Sequence, residues 1–142
     1  KIILIRTKLF SLSISRQEQR MTDKEQIESV VQLYIDSMDE SSADKVKEAF
    51  HPNASVVGYL HGDFMEMSVD DFAGFVSSQQ PSPSAAGENV VFEIFVCEVE
   101  GTTALVKLRD KYLGITFFDT LSFIKQEGEW KIYNKLMKFE SE

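Results

Sequence analysis

The sequence predicts an α+β domain in which three helices pack on one face of a curved, mostly antiparallel β-sheet. Before residue 80, three segments carry apolar residues at the spacing of an amphipathic helix, and each follows a helix-capping signal. After residue 89, apolar and polar residues alternate, as they do in strands with one buried face. Helices first and a run of strands last are typical of the α+β class.

The first helix is predicted to begin after Thr22. Thr22-Asp23-Lys24-Glu25 forms a capping box, in which the Thr22 hydroxyl accepts a hydrogen bond from the amide three residues on. The residues that then recur at helical spacing are Ile27, Val30, Val31, Tyr34, Ile35 and Met38. They form one apolar stripe, so we expect Tyr34, in the middle of the stripe, to face the sheet.

Shorter elements fill the segment between the first helix and residue 89. They are a helix from Ser41-Ser42 to His51-Pro52, a strand at 54–59, a turn at Gly62-Asp63, a strand at 64–67, a helix opening at Ser68 and a Pro- and Ser-rich loop at 80–87. The second helix is expected to bury Val46, Ala49 and Phe50, and the third to run through Phe72, Phe75 and Val76. Together they predict a helical layer with one short hairpin inserted.

Four strands are predicted in the second half: Val90–Val99, Thr103–Tyr112, Phe117–Ile124 and Trp130–Leu136. The last two form a hairpin, because Glu127-Gly128 offers a tight turn, whereas Leu113-Gly114 is interpreted as a kink. In the third of these strands, Asp119 is in phase with the apolar Phe117, Leu121 and Phe123. In the fourth, the alternation puts Trp130, Ile132 and Leu136 on one face and Lys131, Tyr133 and Lys135 on the other.

Composition and charge limit the function classes. A chain of 142 residues is long enough for one domain with a real core, and the formal net charge is −8. Residues 1–20 are basic, so the remainder is more acidic still, which argues against nucleic acid and membrane partners. We interpret residues 1–20 as an N-terminal extension outside the domain core and residues 21–142 as the domain.

No cofactor or metal is predicted. The two histidines, His51 and His61, lack metal-ligand spacing with each other or with nearby Asp63 and Glu66. Neither a Gly-rich phosphate loop nor a nucleophile elbow is present in the sequence. The single cysteine, Cys97, excludes an internal disulfide and fits the reducing cytoplasm, which is the expected location.

The later motifs resemble a known superfamily over residues 22–140. Asp119-x-Leu121-x-Phe123, then Gly128-x-Trp130-Lys131-Ile132 followed by Asn134-Lys135, is similar to the nuclear transport factor 2-like (NTF2-like) proteins, and most similar to their putative lumazine-binding family. The resemblance implies a cone-shaped, cystatin-like fold shared with ketosteroid isomerases and polyketide cyclases. It also implies a homodimer formed through the outer sheet face.

The isomerase branch of that superfamily suggests site residues. Val30-Val31-Gln32-Leu33-Tyr34 is similar to a run whose Tyr donates to a developing enolate, and Asp119 matches a carboxyl that stays protonated and donates a second bond. The general base of that branch falls on Gly58, so we expect the base to be missing, with His61 or Asp63 as the candidates to replace it.

The sequence leaves three functions open. In the first, the chain binds a small, flat, largely apolar ligand without turnover, held by Tyr34, Phe72, Phe117, Asp119 and Trp130; the missing base favours this. In the second, it is an isomerase-, cyclase- or dehydratase-like enzyme with Tyr34 and Asp119 as catalytic oxyanion donors and His61 or Asp63 as base. In the third, it is a dimeric accessory domain whose interior is filled by its 11 Phe and other side chains.

Overall fold

The computed structural model describes residues 21–139, which form three helices and six strands. The helices are α1 (Asp23–Asp39), α2 (Ala43–Ala49) and α3 (Val69–Ser78). The strands are β1 (Phe50–Leu60), β2 (Asp63–Ser68), β3 (Val91–Glu100), β4 (Thr103–Tyr112), β5 (Ile115–Gln126) and β6 (Glu129–Phe139). The predicted extension at residues 1–20 lies outside the described residues.

The six strands form one sheet in the order β2-β1-β6-β5-β4-β3. Strands β3 to β6 make an antiparallel meander, and β1 joins β6 in parallel. The three helices pack on one face of this curved sheet, which confirms the α+β prediction. Leu113-Gly114, predicted as a kink, is a two-residue hairpin turn with positive φ at both residues, 53° and 76°.

Helix α1 begins as predicted. Its N-cap is Thr22, whose hydroxyl accepts a 3.1 Å hydrogen bond from the Glu25 amide. The residues of α1 with no more than 2% of their surface exposed include Ile27, Val31, Tyr34, Ile35 and Met38. The predicted stripe is therefore the face that packs against the sheet.

Strand β1 begins earlier than predicted. It starts at Phe50, directly after α2, and runs through Pro52, where the sequence predicted the end of a helix. Its pairing with β6 shifts register between Phe50 and Ser55. Proline has no amide hydrogen to donate to a sheet, so it is tolerated at an irregularity of this kind.

A β-bulge in strand β6 changes which side chains enter the interior. Ser122 pairs with Asn134, but Phe123 pairs with Ile132, so Tyr133 is an extra residue on β6. One extra residue reverses the alternation beyond it. Lys135 is consequently buried with 4% of its surface exposed, whereas Leu136 is 50% exposed, so the predicted faces of these two residues were wrong.

No helix among residues 21–139 is long and apolar enough to cross a bilayer.

Candidate functional site

A cavity of about 100 Å³ lies between the helices and the inner face of the sheet. Its apolar lining consists of Met38, Leu60, Met65, Met67, Phe72, Phe75, Leu113, Ile115, Phe117 and Met137. Phe75 and Leu113 in this lining are exposed to solvent. One water needs about 10–15 Å³ of such space, so the cavity has room for several waters or a small organic molecule.

Three polar side chains join this apolar lining. Asp110 and Tyr112 come from β4, where they share the inward phase with the buried Leu108, and Lys135 comes from β6 beyond the bulge. A few polar groups in a mostly apolar pocket are typical of a ligand site.

Tyr34 and Asp119 lie behind this lining, with no exposed surface. The Tyr34 hydroxyl donates a 3.0 Å hydrogen bond to Asp119 Oδ2, joining α1 to β5. The pair is therefore in contact but does not itself line the cavity. Burial, followed by the negative charge of Asp119, raises the pKa of Tyr34 well above its ordinary value, so this hydroxyl stays protonated.

Lys135 links the pair to the cavity. Its Nζ lies 3.9 Å from Asp119 Oδ2. The same Nζ lies 4.8 Å from the ring centroid of Tyr34 and 4.7 Å from that of Phe72. One carboxylate and two aromatic rings thus surround the amino group, an arrangement that stabilises a positive charge in a buried site.

Asp110 has the most altered acidity in the cavity. Burial, and then the negative charge of Asp119, raise the pKa of Asp110 to about 9, although the positive charge of Lys135 opposes the shift. Neither carboxyl oxygen accepts a hydrogen bond from residues 21–139, and a hydrogen bond between the Asp110 and Asp119 side chains also helps to raise the pKa of Asp110. At neutral pH, Asp110 is therefore an uncharged acid that can donate a hydrogen bond.

Tyr112 gives the cavity a second neutral donor. Its hydroxyl is buried and has no hydrogen-bond partner in the described part of the chain. Burial raises the pKa of Tyr112 to about 12, so the hydroxyl remains protonated. Buried polar groups of this kind favour a bound partner, because leaving them unpaired costs free energy.

The remaining predicted site residues are dispersed. Phe72 and Phe117 line the cavity, but Trp130 does not; its Nε1 donates a 3.0 Å hydrogen bond to Asp23 Oδ1 at the start of α1. His61 lies on the exposed turn between β1 and β2, which is formed by His61 and Gly62 and not by the predicted Gly62-Asp63, and Asp63 is the exposed first residue of β2; both lie outside the lining.

Gly58, the position that the isomerase resemblance assigns to the base, lies where β1 and β6 approach closely. A Cβ atom added to Gly58 would overlap the backbone carbonyl oxygen and the Cγ of Met137. This backbone therefore has no space for a carboxylate side chain at residue 58.

The three polar lining residues, Asp110, Tyr112 and Lys135, were missed by the sequence analysis. The first two were detectable, since they continue the inward phase of Ala104, Val106 and Leu108. Lys135 was not, because its inward position depends on the bulge. Within residues 21–139, no group of three or more His, Cys, Asp or Glu is arranged to hold a metal ion.

The sheet order, the helical layer and the cavity between them define an NTF2-like protein. An NTF2-like protein of unknown function from Silicibacter pomeroyi has a similar structure, with a TM-score of 0.74 and 22% identity, covering 84% of this chain and 100% of that one. Another from Methylobacillus flagellatus has a TM-score of 0.74 and 21% identity, covering 86% and 97%. Within this class, the sequence profile described as "Putative lumazine-binding" matches residues 22–138, and the chain belongs to that family.

A curated relative has a named activity. Aldolase FrzH from Cladobotryum sp. is 28% identical to this chain over 105 residues, which is 72% of this chain and 80% of that protein.

Proposed function

We propose that the chain binds a small, flat, largely apolar molecule with an acceptor oxygen, such as a carbonyl, at its buried end. The observation that carries this proposal is the convergence of Asp110, Tyr112 and Lys135 on one otherwise apolar cavity. All three are hydrogen-bond donors at neutral pH, because Asp110 is protonated and Lys135 forms an ion pair as an ammonium. Three donors that converge on one apolar cavity favour a ligand with an electron-rich oxygen.

The apolar lining supports the rest of the ligand description. Phe72 and Phe117 offer aromatic surface, and four of the chain's five methionines line the cavity. Methionine side chains are flexible and polarizable, so such a lining adapts to different ring shapes. The cavity therefore specifies the polar end of the ligand more closely than the shape of its apolar part.

Catalysis on an enolate is the second candidate function. A carbonyl oxygen held by Asp110 and Lys135 would be stabilised as negative charge develops on it, which is how oxyanion holes accelerate enolisation. The proton leaves the neighbouring carbon to a water molecule, since His61 and Asp63 lie outside the cavity lining. The 28% identical relative named an aldolase favours this class of reaction over simple binding. Isomerase- or cyclase-type steps through an enolate would use the same donors. Asp119 then acts through Lys135 as a positioning residue, together with Tyr34.

The methionines give a direct test of binding. Acetophenone is a suitable probe, since it is small, flat, apolar and enolisable. With ¹³C-methyl-labelled methionine, we expect acetophenone to shift the NMR signals of Met38, Met65, Met67 and Met137. Met21, the fifth methionine, precedes α1 outside the cavity lining and serves as the internal control. Equal shifts at Met21, or none at the other four, would contradict the proposal.

Removal of one donor should weaken binding. Tyr112→Phe is expected to raise the dissociation constant for acetophenone about 3- to 10-fold, as expected for the loss of one hydrogen bond. Tyr133→Phe is the matched control, because Tyr133 is exposed and outside the cavity lining. An unchanged constant for Tyr112→Phe would show that this hydroxyl does not contact the probe.

Turnover is distinguished from binding by proton exchange. In D₂O, an enzyme that forms the enolate of acetophenone exchanges the methyl protons for deuterium, whereas a binding protein does not. We expect exchange above the uncatalysed rate, with a loss of that excess in Asp110→Asn. Binding without exchange would support ligand binding as the function and would contradict enolate catalysis for this probe.

We also propose that the outer sheet face forms a homodimer. Phe95 and Phe118 stack there with ring centroids 5.6 Å apart, Arg109 lies over Phe95, and Leu136 is half exposed. Exposed apolar groups on one face mark an interaction surface. Leu136→Asp is expected to shift the molar mass from dimer to monomer in size-exclusion chromatography with light scattering. Leu113→Asp, at the cavity, is the control, and a wild-type monomer would contradict the proposal.

A further inference from the structure

We propose that Lys135 is a nucleophile that forms an imine with an aldehyde or ketone bound in the cavity. This rests on the proposed function, since it needs a carbonyl ligand at the same donors, and it adds a covalent step to it. A lysine amine in an apolar site is a recognised nucleophile for carbonyl compounds.

The position of Lys135 meets the first requirement of such a nucleophile. Its side chain is 6% exposed and lines the cavity, and its Nζ lies 4.7 Å from the ring centroid of Phe72, which lines the same cavity. Nζ makes no hydrogen bond to any of residues 21–139, its polar contact being the 3.9 Å ion pair with Asp119. The β6 bulge places this amino group inside, and neighbouring Lys138 on the same strand is exposed.

The groups around Nζ stabilise the iminium product as well as the starting ammonium. Two ring faces and Asp119 Oδ2 stabilise the ammonium cation. The iminium ion carries the same single positive charge on the same nitrogen. Imine formation therefore leaves the net charge of this buried cluster unchanged, and the contacts that hold Lys135 also stabilise the adduct.

The proton balance closes within the cluster. Asp119 Oδ2, 3.9 Å from Nζ, takes one proton from the ammonium, which leaves a neutral amine and a neutral acid. The amine lone pair forms a bond to the carbonyl carbon, and the carbonyl π pair moves to oxygen, which Asp110 supports as a donor. A proton then moves from nitrogen to the oxygen. Asp119 returns its proton as the C–O bond breaks, and one water leaves as the iminium forms.

Reductive trapping tests the step. The full chain is incubated with benzaldehyde and sodium cyanoborohydride, which reduces an iminium to a stable benzylamine. Intact mass and peptide mapping then locate the benzyl group. We expect Lys135 to be labelled at least about tenfold faster than exposed Lys138, because the cavity holds the aldehyde against the amine. Equal labelling of the exposed lysines and Lys135 would overturn the inference.

Two variants keep the result interpretable. Lys135→Arg retains the positive charge but cannot form an imine. This variant should lose the rapid labelling expected at residue 135, called here the fast phase, and keep only the slower labelling of exposed lysines. Lys138→Arg removes an exposed lysine of the same strand and should leave that phase unchanged. Since peptide mapping of the wild type already identifies the labelled residue, the inference remains testable even if Lys135→Arg folds poorly.

Benzyl alcohol separates this inference from the proposed function. It has nearly the shape of benzaldehyde and an oxygen that accepts hydrogen bonds, but it has no carbonyl carbon, so it can bind in the cavity without forming an imine. If benzyl alcohol and benzaldehyde both shift the four cavity methionine signals and Lys135 is not labelled, the imine is wrong and the binding proposal stands. If neither compound shifts them and Lys135 is not labelled, both are wrong.

Discussion

Asp110→Asn is expected to raise the free energy of unfolding by several kcal/mol near pH 9 and to change it little near pH 4. The wild-type carboxyl is protonated in the folded chain up to about pH 9, but its ordinary pKa is 3.8. The folded state therefore binds one more proton than the unfolded state between these two values. Each unit of pKa difference corresponds to about 1.4 kcal/mol, so the effect accumulates over several pH units.

The direction of this effect follows from the raised pKa. Stability contributed by the proton on Asp110 is fully present below the unfolded pKa and is lost as the pH rises toward the folded pKa. The charged groups that face Asp110 are Asp119 from β5 and Lys135 from β6. The uncharged hydroxyl of Tyr34 from α1 also lies in this cluster. Asn keeps the shape of the neutral acid and has no proton to lose, so the variant avoids the decline.

The measurement is urea unfolding of wild type and Asp110→Asn at a series of pH values between the two pKa values. Subtracting the free energy of unfolding of one protein from that of the other at each pH cancels the titration of the groups that both proteins contain. Asp63→Asn, at the exposed start of β2, is the control and should run parallel to wild type. Parallel curves for Asp110→Asn as well would mean that Asp110 ionises normally in the folded chain.

The sequence predicted one of the central contacts in part. Tyr34 and Asp119 each lie on the buried face of a well-defined element, α1 and β5, so both were expected inside. Their contact at 3.0 Å joins residues 85 positions apart and depends on how the helix crosses the sheet. Periodicity reports the face of one element and carries no information about that crossing.

The position of Lys135 could not be predicted from alternation. A strict period of two assigns Lys135 to the same face as Lys131, and the extra residue at Tyr133 reverses this. Bulges are frequent beside functional sites because they redirect a side chain without ending a strand. Here the bulge places the cationic Lys135 in the interior and leaves the apolar Leu136 half exposed.

Buried polar side chains at this site depart from the rule that polar atoms in a protein interior are hydrogen-bonded. Asp110, Tyr112 and Asp119 each have a buried polar atom without a hydrogen-bond partner among residues 21–139. A fold selected for stability alone would replace such groups with apolar ones, since unpaired polar atoms cost about 1–3 kcal/mol each. The grouping of Asp110 and Tyr112 in one cavity, with Asp119 directly behind its lining, is the pattern expected of a functional site.

Lys135→Met is expected to lower the free energy of unfolding by about 3–5 kcal/mol at neutral pH, since it leaves a fully buried carboxylate without its cation. Asp119 has no exposed surface and would keep neutral donors, the hydroxyl of Tyr34 and the protonated carboxyl of Asp110, but no cation. The measurement is urea unfolding of wild type and Lys135→Met. Lys138→Met, on the exposed face of the same strand, is the control and is expected to change stability by no more than about 0.5 kcal/mol.

The double variant Asp119→Asn/Lys135→Met separates the loss of the ion pair from the loss of packing. With the carboxylate replaced by a neutral amide, the buried charge is gone, so the double variant should be more stable than the sum of the two single losses predicts. The Tyr34 hydroxyl can still donate to the side-chain oxygen of the introduced amide in that variant. Additive losses would mean that Lys135 stabilises the fold through its contacts with the rings of Tyr34 and Phe72, not through Asp119.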